Sequence, residues 1–216
     1  MLGMINLNAD ESRVLGVLIE KAATTPEQYP LSLNAIVNGA NQKNNRDPVR
    51  AMSEDECFEA TESLRAKGLV TRVDQAGSRV PKFRHEAGEA LHARGGELAI
   101  LAELLMRGPQ TIGELRGRAG RMSPMESLET AQGLVDALMN RTEPLVKQIP
   151  PSPGSRAVRF VQLLSPDLHA VDSAAASPIA VSAGQATLSE RVAALELQVA
   201  GLRESLEAVM VKLDRL

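Results

Sequence analysis

The stretch from residue 53 to residue 84, SEDECFEATESLRAKGLVTRVDQAGSRVPKFR, decides the fold, because it places a capped helix directly before a β-hairpin. Ser53 and Glu56 have the spacing of a capping box, in which each side chain binds the backbone N–H of the other residue. A helix is therefore predicted from Ser53 to about Lys67. Gly68 follows as its carboxyl-terminal cap.

Two strand-forming segments come next and are separated by a turn at residues 74–78. The segments 69–73 and 79–84 are rich in the residues that favour strands, so they are predicted to pair as a hairpin. Pro81 favours an edge position for the second strand, since proline cannot donate a hydrogen bond to a neighbouring strand.

Helical spacing of apolar residues predicts two more helices before this stretch. The first begins at Asn8, which can form a capping box with Glu11, and ends near Pro26. The second begins at Ser32 and ends before a polar loop at residues 41–50. A short strand near Leu31 could pair with the hairpin.

The same order then repeats. A helix is predicted over 97–107, and capping boxes at residues 111–114 and 123–126 open helices that end near Ala119 and Asn140. Two strands follow at 145–149 and 157–164. Three helices and a hairpin, twice over, are the order of a tandem winged-helix protein, an α+β fold that is mainly helical. Its domains are predicted at 5–93 and 96–165.

The last part of the chain changes character. Residues 166–186 are rich in alanine and serine, which predicts a flexible linker. Residues 187–216 carry apolar side chains in strict heptads, which predicts a coiled-coil helix and a parallel homodimer. The predicted dimer contacts are Leu188, Val192, Leu195, Val199, Leu202, Leu206, Val209, Leu213 and Leu216.

Three segments together resemble the YceH family of uncharacterised bacterial proteins. They are NQKNNRDPV at 41–49, GSRVPKF at 77–83, and GPQT at 108–111 followed by ELR at 114–116. The resemblance covers roughly residues 5–165. It implies two winged-helix-like domains, and it implies no activity or ligand.

Composition narrows the function classes. A single cysteine, Cys57, excludes an internal disulfide and a cysteine-rich zinc site. The three histidines lack the spacing of a histidine metal site, and no apolar run is long enough to cross a membrane. We therefore expect a cytoplasmic protein that is not an enzyme and holds no cofactor or metal.

Binding of double-stranded DNA, in a regulatory or chromosome-associated role, is the leading functional hypothesis. The polar loop and the first hairpin carry cations that could contact phosphates, and Asn44 and Asn45 could reach base edges or sugars. The candidate contacts are Lys43, Asn44, Asn45, Arg46, Arg50, Arg72, Arg79, Lys82 and Arg84. A structural explanation competes with this one, because Asn, Asp and Pro build tight loops and edge-strand cations prevent aggregation.

The third helix of each half argues against DNA. This helix normally enters the major groove, yet its predicted solvent side carries Asp55, Glu59 and Glu62 in the first half. In the second half it carries Glu129 and Asp136. Because carboxylates repel phosphates, the alternative function is a protein-interaction scaffold whose partner binds these acidic helices.

Overall fold

A computed structural model of the chain describes residues 5–74, 80–166 and 168. All of them belong to one compact unit, Met1–Val171. The predicted coiled coil and almost all of the predicted linker lie outside the described residues. So does Arg79, one of the candidate DNA contacts.

The first half of the compact unit contains every element predicted for it. The order is α1 (Ala9–Thr24), a 3₁₀ turn (Pro26–Gln28), β1 (Leu31–Ser32), α2 (Leu33–Ala40), α3 (Glu54–Ala66), β2 (Val70–Val73), β3 (Lys82–His85) and the short α4 (Ala87–Ala90).

Helix ends in this half are fixed by the predicted caps. Asn8 and Glu11 form a complete capping box at the start of α1, and Ser53 and Glu56 form one at the start of α3. After α3, Gly68 has a φ of +72°, a left-handed conformation that glycine adopts at the lowest cost.

The second half repeats this arrangement with α5 (Gly96–Arg107), β4 (Gln110–Thr111), α6 (Ile112–Ala119), α7 (Leu128–Met139), β5 (Val146–Ile149) and β6 (Arg159–Gln162). The capping box at residues 111–114 is confirmed at the start of α6.

The capping box predicted at residues 123–126 is wrong, because α7 begins only at Leu128 with Ser127 as its cap. Arg116 donates hydrogen bonds to the carbonyl oxygens of Met125 and Glu126, at 3.4 and 2.9 Å. Those bonds, together with the buried Met125 side chain, hold the segment outside the helix.

Each half has one antiparallel three-stranded sheet, ordered β1-β3-β2 in the first and β4-β6-β5 in the second. The short strand expected near Leu31 is present and pairs with Phe83. The edge position predicted from Pro81 is wrong, since β3 lies in the middle of its sheet. Pro81 is tolerated because β3 begins only at Lys82. Both sheets and the mainly helical content are consistent with two winged-helix units.

Helix α1 is the centre of the compact unit. Residues 11–20 are all buried, and α1 packs against α2 and α3 of its own half and most extensively against α5 of the other half. At the crossing, a Cβ on Gly16 would stand 2.6 Å from Met106 Cγ, so only glycine permits this close approach. The two halves therefore share one continuous core.

Candidate functional site

Arg46, one of the predicted DNA contacts, is buried between the polar loop and α1. Its guanidinium makes two hydrogen bonds with the carboxylate of Glu20, and its Nε donates to the carbonyl oxygen of Gly39 at 3.0 Å. The side chain has no exposed surface. The structure therefore does not support the predicted contact between Arg46 and nucleic acid, because the buried side chain offers a phosphate no surface.

Five charged side chains form what we call the seam network, where the two halves meet: Glu20, Arg46, Glu103, Arg107 and Arg121. Arg121 bridges the halves, with Nη1 2.5 Å from Glu20 and Nη2 2.6 Å from Glu103. Arg107 Nε lies 3.3 Å from the second oxygen of Glu103.

Burial by itself raises the pKa of Glu20. The hydrogen bonds and charge of Arg46, with the charge of Arg121, outweigh that effect and leave the pKa below its usual value. Glu20 is therefore an ionised carboxylate inside the protein, and its charge is balanced by arginines from both halves.

The rest of the polar loop is held by backbone contacts. Arg13, buried in α1, donates to the carbonyl oxygens of Ala40 and Pro48. The Asp47 N–H donates to the carbonyl oxygen of Met106 in the other half, at 3.1 Å. These contacts support the structural explanation of the loop.

The remaining loop candidates lie nearer the surface. Lys43 and Asn44 are exposed. Asn45, at a φ of +59°, accepts a hydrogen bond from Arg107 of the second half. Arg50 is half-buried and forms an ion pair with Asp10. The loop thus offers fewer free cations than its sequence indicates.

The first hairpin carries its cations on two faces of the sheet. Lys82 and Arg84 alternate with Phe83, which is buried, so they point outward. Arg72 pairs with Phe83 across the two strands and so shares the face of Phe83. This is the face of the sheet away from Lys82 and Arg84. Arg72 and Arg84 already form ion pairs, with Asp74 and Glu86 respectively.

The outward face of α3 is acidic, as predicted, and has an aromatic centre. Asp55, Phe58, Glu59 and Glu62 follow each other at helical spacing and share this face. Phe58 is 47% exposed, and Arg65, two turns further along α3, is hydrogen-bonded to Glu62. Phe58 was not among the residues predicted from the sequence, although its place between two acidic residues of the same face could have identified it.

The matching helix of the second half, α7, is acidic to a smaller extent. Glu129 is exposed, and Asp136 is half-buried and accepts a hydrogen bond from Gln132. Leu128 is 48% exposed at the start of this helix. Both third helices therefore present carboxylates and an apolar side chain to solvent.

Cys57 is buried in the core, and that burial raises the pKa of its thiol to about 11. Among residues 5–74, 80–166 and 168, no three His, Cys, Asp or Glu side chains are grouped so that they could hold a metal ion. None of the helices described here has the length and apolar character needed to cross a bilayer.

Comparison with known proteins gives the chain's relatives. A family model described as "Protein of unknown function, DUF480" matches residues 7–155. A UPF0502 protein of Geobacter sulfurreducens is 48% identical over 200 residues, which cover 92% of this chain and 90% of that protein. A UPF0502 protein of Herminiimonas arsenicoxydans is 38% identical over 203 residues, covering 94% and 86%.

A third relative, a UPF0502 protein of Koribacter versatilis, is 45% identical over 193 residues, which cover 89% of this chain and 88% of that protein. The resemblance carried by the loop, hairpin and GPQT segments is confirmed by these matches. The chain belongs to the YceH-like family of proteins of unknown function called DUF480 or UPF0502.

Proposed function

We propose that this chain is a tandem winged-helix protein that acts as a protein-interaction module. Its docking surface is the outward face of α3, formed by Asp55, Phe58, Glu59 and Glu62. The partner is a protein segment that carries basic side chains around an apolar one. One observation carries the proposal: the helix that would enter a DNA groove presents carboxylates and an exposed aromatic ring instead of cations.

Electrostatics favours a protein over DNA at this face. Carboxylates would repel the phosphates on both sides of a major groove, and among the described residues this face holds no cation that lacks a carboxylate partner. A basic peptide would gain charge complementarity, which speeds association and fixes its orientation.

Phe58 would supply most of the binding free energy, because the surrounding carboxylates are exposed and contribute little. Aromatic side chains at the centre of a protein interface often contribute most of the binding energy, while the surrounding polar residues exclude water. An exposed phenylalanine ringed by Asp55, Glu59 and Glu62 has this arrangement.

Fewer of the candidate cations are free to contact DNA in the structure than the sequence predicts. Arg46 is buried, and Arg50, Arg72 and Arg84 each have a carboxylate partner. Among the described candidates, Lys43 and Lys82 are the cations without such a partner. Lys43, and Lys82 on the same face of the hairpin as the paired Arg84, are the remaining basis for phosphate contact.

Site-specific photocrosslinking tests the proposal on the full-length chain. A benzophenone amino acid replaces Phe58 in cells of the native host. The matched control places it at Val158, which is also exposed but lies in the second hairpin region. We expect a discrete crosslinked protein from position 58 and none of the same mass from position 158.

The crosslinked protein is then purified and its direct binding measured. We expect the variant Phe58→Ala and the double variant Glu59→Lys with Glu62→Lys each to weaken its binding at least tenfold, and Val158→Ala to leave it unchanged. Binding that these α3 variants leave unchanged would refute the proposed docking surface.

Fluorescence anisotropy with duplex DNA tests the other hypothesis. Counterion release would make the affinity fall steeply between about 50 and 200 mM salt. If the full-length chain binds DNA saturably, and Lys82→Glu with Arg84→Glu removes that binding, the hairpin is a nucleic-acid contact. That result, together with no crosslinked partner at position 58, would overturn the proposal in favour of DNA.

A further inference from the structure

Three arginines stand at the outer edge of the seam network and form what we call the seam arginine surface: Arg107, Arg118 and Arg121. They come from the end of α5, from α6 and from the residue pair after α6. Their side chains are 16%, 36% and 29% exposed, so all three are accessible from solvent. The sequence alone separates these arginines from the polar loop, and the fold brings the two together.

The charges of this region do not balance. With the buried Arg46, four arginines face three carboxylates, Glu20, Glu103 and Glu114. Burial lowers the pKa of Arg107, and the neighbouring charges of Arg118, Arg121 and Arg46 lower it further against the opposing effect of Glu103. The excess positive charge would be stabilised by an anion.

The arginines also keep hydrogen-bond donors free. Arg107 donates from Nη2 to Asn45, and its buried Nε lies 3.3 Å from Glu103 without hydrogen-bond geometry. Its Nη1 group has no acceptor within residues 5–74, 80–166 and 168 and is the donor left for a ligand. The Nε groups of Arg118 and Arg121 likewise have no acceptor in that part of the chain.

The side chains that hold the arginines fix their positions in advance. Arg118 donates to Gln110 at 2.8 Å and pairs with Glu114, whereas Arg121 is held between two buried carboxylates. Guanidinium groups fixed in this way lose little entropy when they bind an anion, and their planar forks match the oxygens of a phosphate.

Helix α6 leaves room for close approach beside Arg118. Gly113 and Gly117 are exposed one turn apart, and a Cβ on either would meet nothing within 4 Å. Glycine destabilises a helix interior relative to alanine, and packing among the described residues does not require it at either position. A ligand lying against this face would explain the two glycines, because a side chain at either position would hinder its approach.

We propose that the seam arginine surface binds the phosphate groups of a phosphorylated ligand. Arg107 and Arg118 provide the donors, and Arg121 contributes positive charge while it links the two halves. The same chemistry is shared by a small diphosphate and by the phosphodiester backbone of a nucleic acid. This site is separate from the α3 face, and it stands or falls independently of the proposed protein docking.

Isothermal titration calorimetry of the full-length chain with inorganic pyrophosphate tests the site, at constant ionic strength set with sodium chloride. We expect saturable binding with one site per chain. Arg107→Gln and Arg118→Gln should each weaken it at least tenfold. Arg156→Gln, an exposed arginine in the turn between β5 and β6, is the matched control and should change it less than twofold.

A second titration separates the two sources of phosphate. If a short duplex DNA competes with pyrophosphate, and Arg118→Gln weakens both, the natural ligand is a nucleic-acid backbone. If DNA does not compete, the ligand is a small phosphorylated compound.

Circular dichroism controls for folding. Arg118→Gln removes the partly buried contacts with Gln110 and Glu114 but leaves the buried contacts of Glu20 with Arg46 and Arg121 in place, so it keeps the test decisive should Arg107→Gln fail to fold. The proposal is overturned if pyrophosphate shows no saturable binding, or if the Arg118→Gln variant, correctly folded, binds it as tightly as the parent chain.

Discussion

Replacing Arg46 by methionine distinguishes a structural arginine from a surface contact. Methionine has a similar length and no charge, so the substitution removes the charged partner of Glu20 and the hydrogen bond to Gly39. Glu20 would remain 1% exposed and would keep only Arg121 as a charged partner.

The expected loss follows from that burial. Breaking a buried ion pair by removing one partner costs about 3–5 kcal/mol, because the remaining charge stays desolvated. The contact with Arg121 compensates part of this, so we expect a loss of about 3 kcal/mol. That is a large share of the roughly 5–15 kcal/mol that keeps a typical domain folded.

Urea unfolding followed by circular dichroism measures the effect on this tryptophan-free, helical protein. Lys43→Met in the same loop is the matched control. Because Lys43 is exposed, its replacement should change the free energy of unfolding by less than about 0.5 kcal/mol. An Arg46→Met variant as stable as Lys43→Met would refute the seam network as we describe it and would return Arg46 to the surface.

Other expectations follow from the same structure. Leu64→Ala should lower the free energy of unfolding by about 2–5 kcal/mol in urea titrations, because Leu64 is fully buried in α3. Ser127→Ala should cost about 1 kcal/mol in the same assay, since Ser127 caps α7. Burial raises the pKa of Glu11 and of Glu20, but their hydrogen bonds and cationic partners lower both below the ordinary value of 4.5 in the folded state. Both carboxylates therefore stabilise the fold above about pH 4.5, and acid titration should show that stability lost as the pH falls below it. Light scattering should find the full-length chain as a dimer and a truncation after Ser182 as a monomer, because valine at two a positions with leucine at most d positions favours two-stranded coils.

Local signals in the sequence were sufficient for the element order. Asn8, Ser53 and Thr111 act through hydrogen bonds to residues three positions away, so their role is visible in the sequence alone. The same holds for Gly68, whose conformation closes α3. The cap predicted at residues 123–126 failed because a residue outside that segment, Arg116, binds the carbonyl oxygens of residues 125 and 126.

The order of the strands within each sheet was harder to predict from the sequence. Pro81 indicates an edge strand only if β3 includes it, and the pairing of β1 with β3 begins one residue later. The partner strand lies about fifty residues earlier in the chain, and no local pattern fixes that register.

The sequence by itself determined the order of the helices and hairpins and most of the helix caps, and it determined that the third helices would be acidic on their outer side. Only the tertiary structure decided which cations are free. Arg46 and Lys43 look alike in the polar loop, but α1 carries a buried carboxylate under one of them and not under the other. Arg107 and Arg121 lie more than sixty residues further along the chain, yet Arg107 meets the loop at Asn45 and Arg121 meets Glu20 of α1, because α5 packs against α1 at Gly16. Whether a charged side chain stabilises the fold or is free to bind a ligand depends on the residues packed around it. Those residues are brought together by the packing of helices that are distant in the sequence.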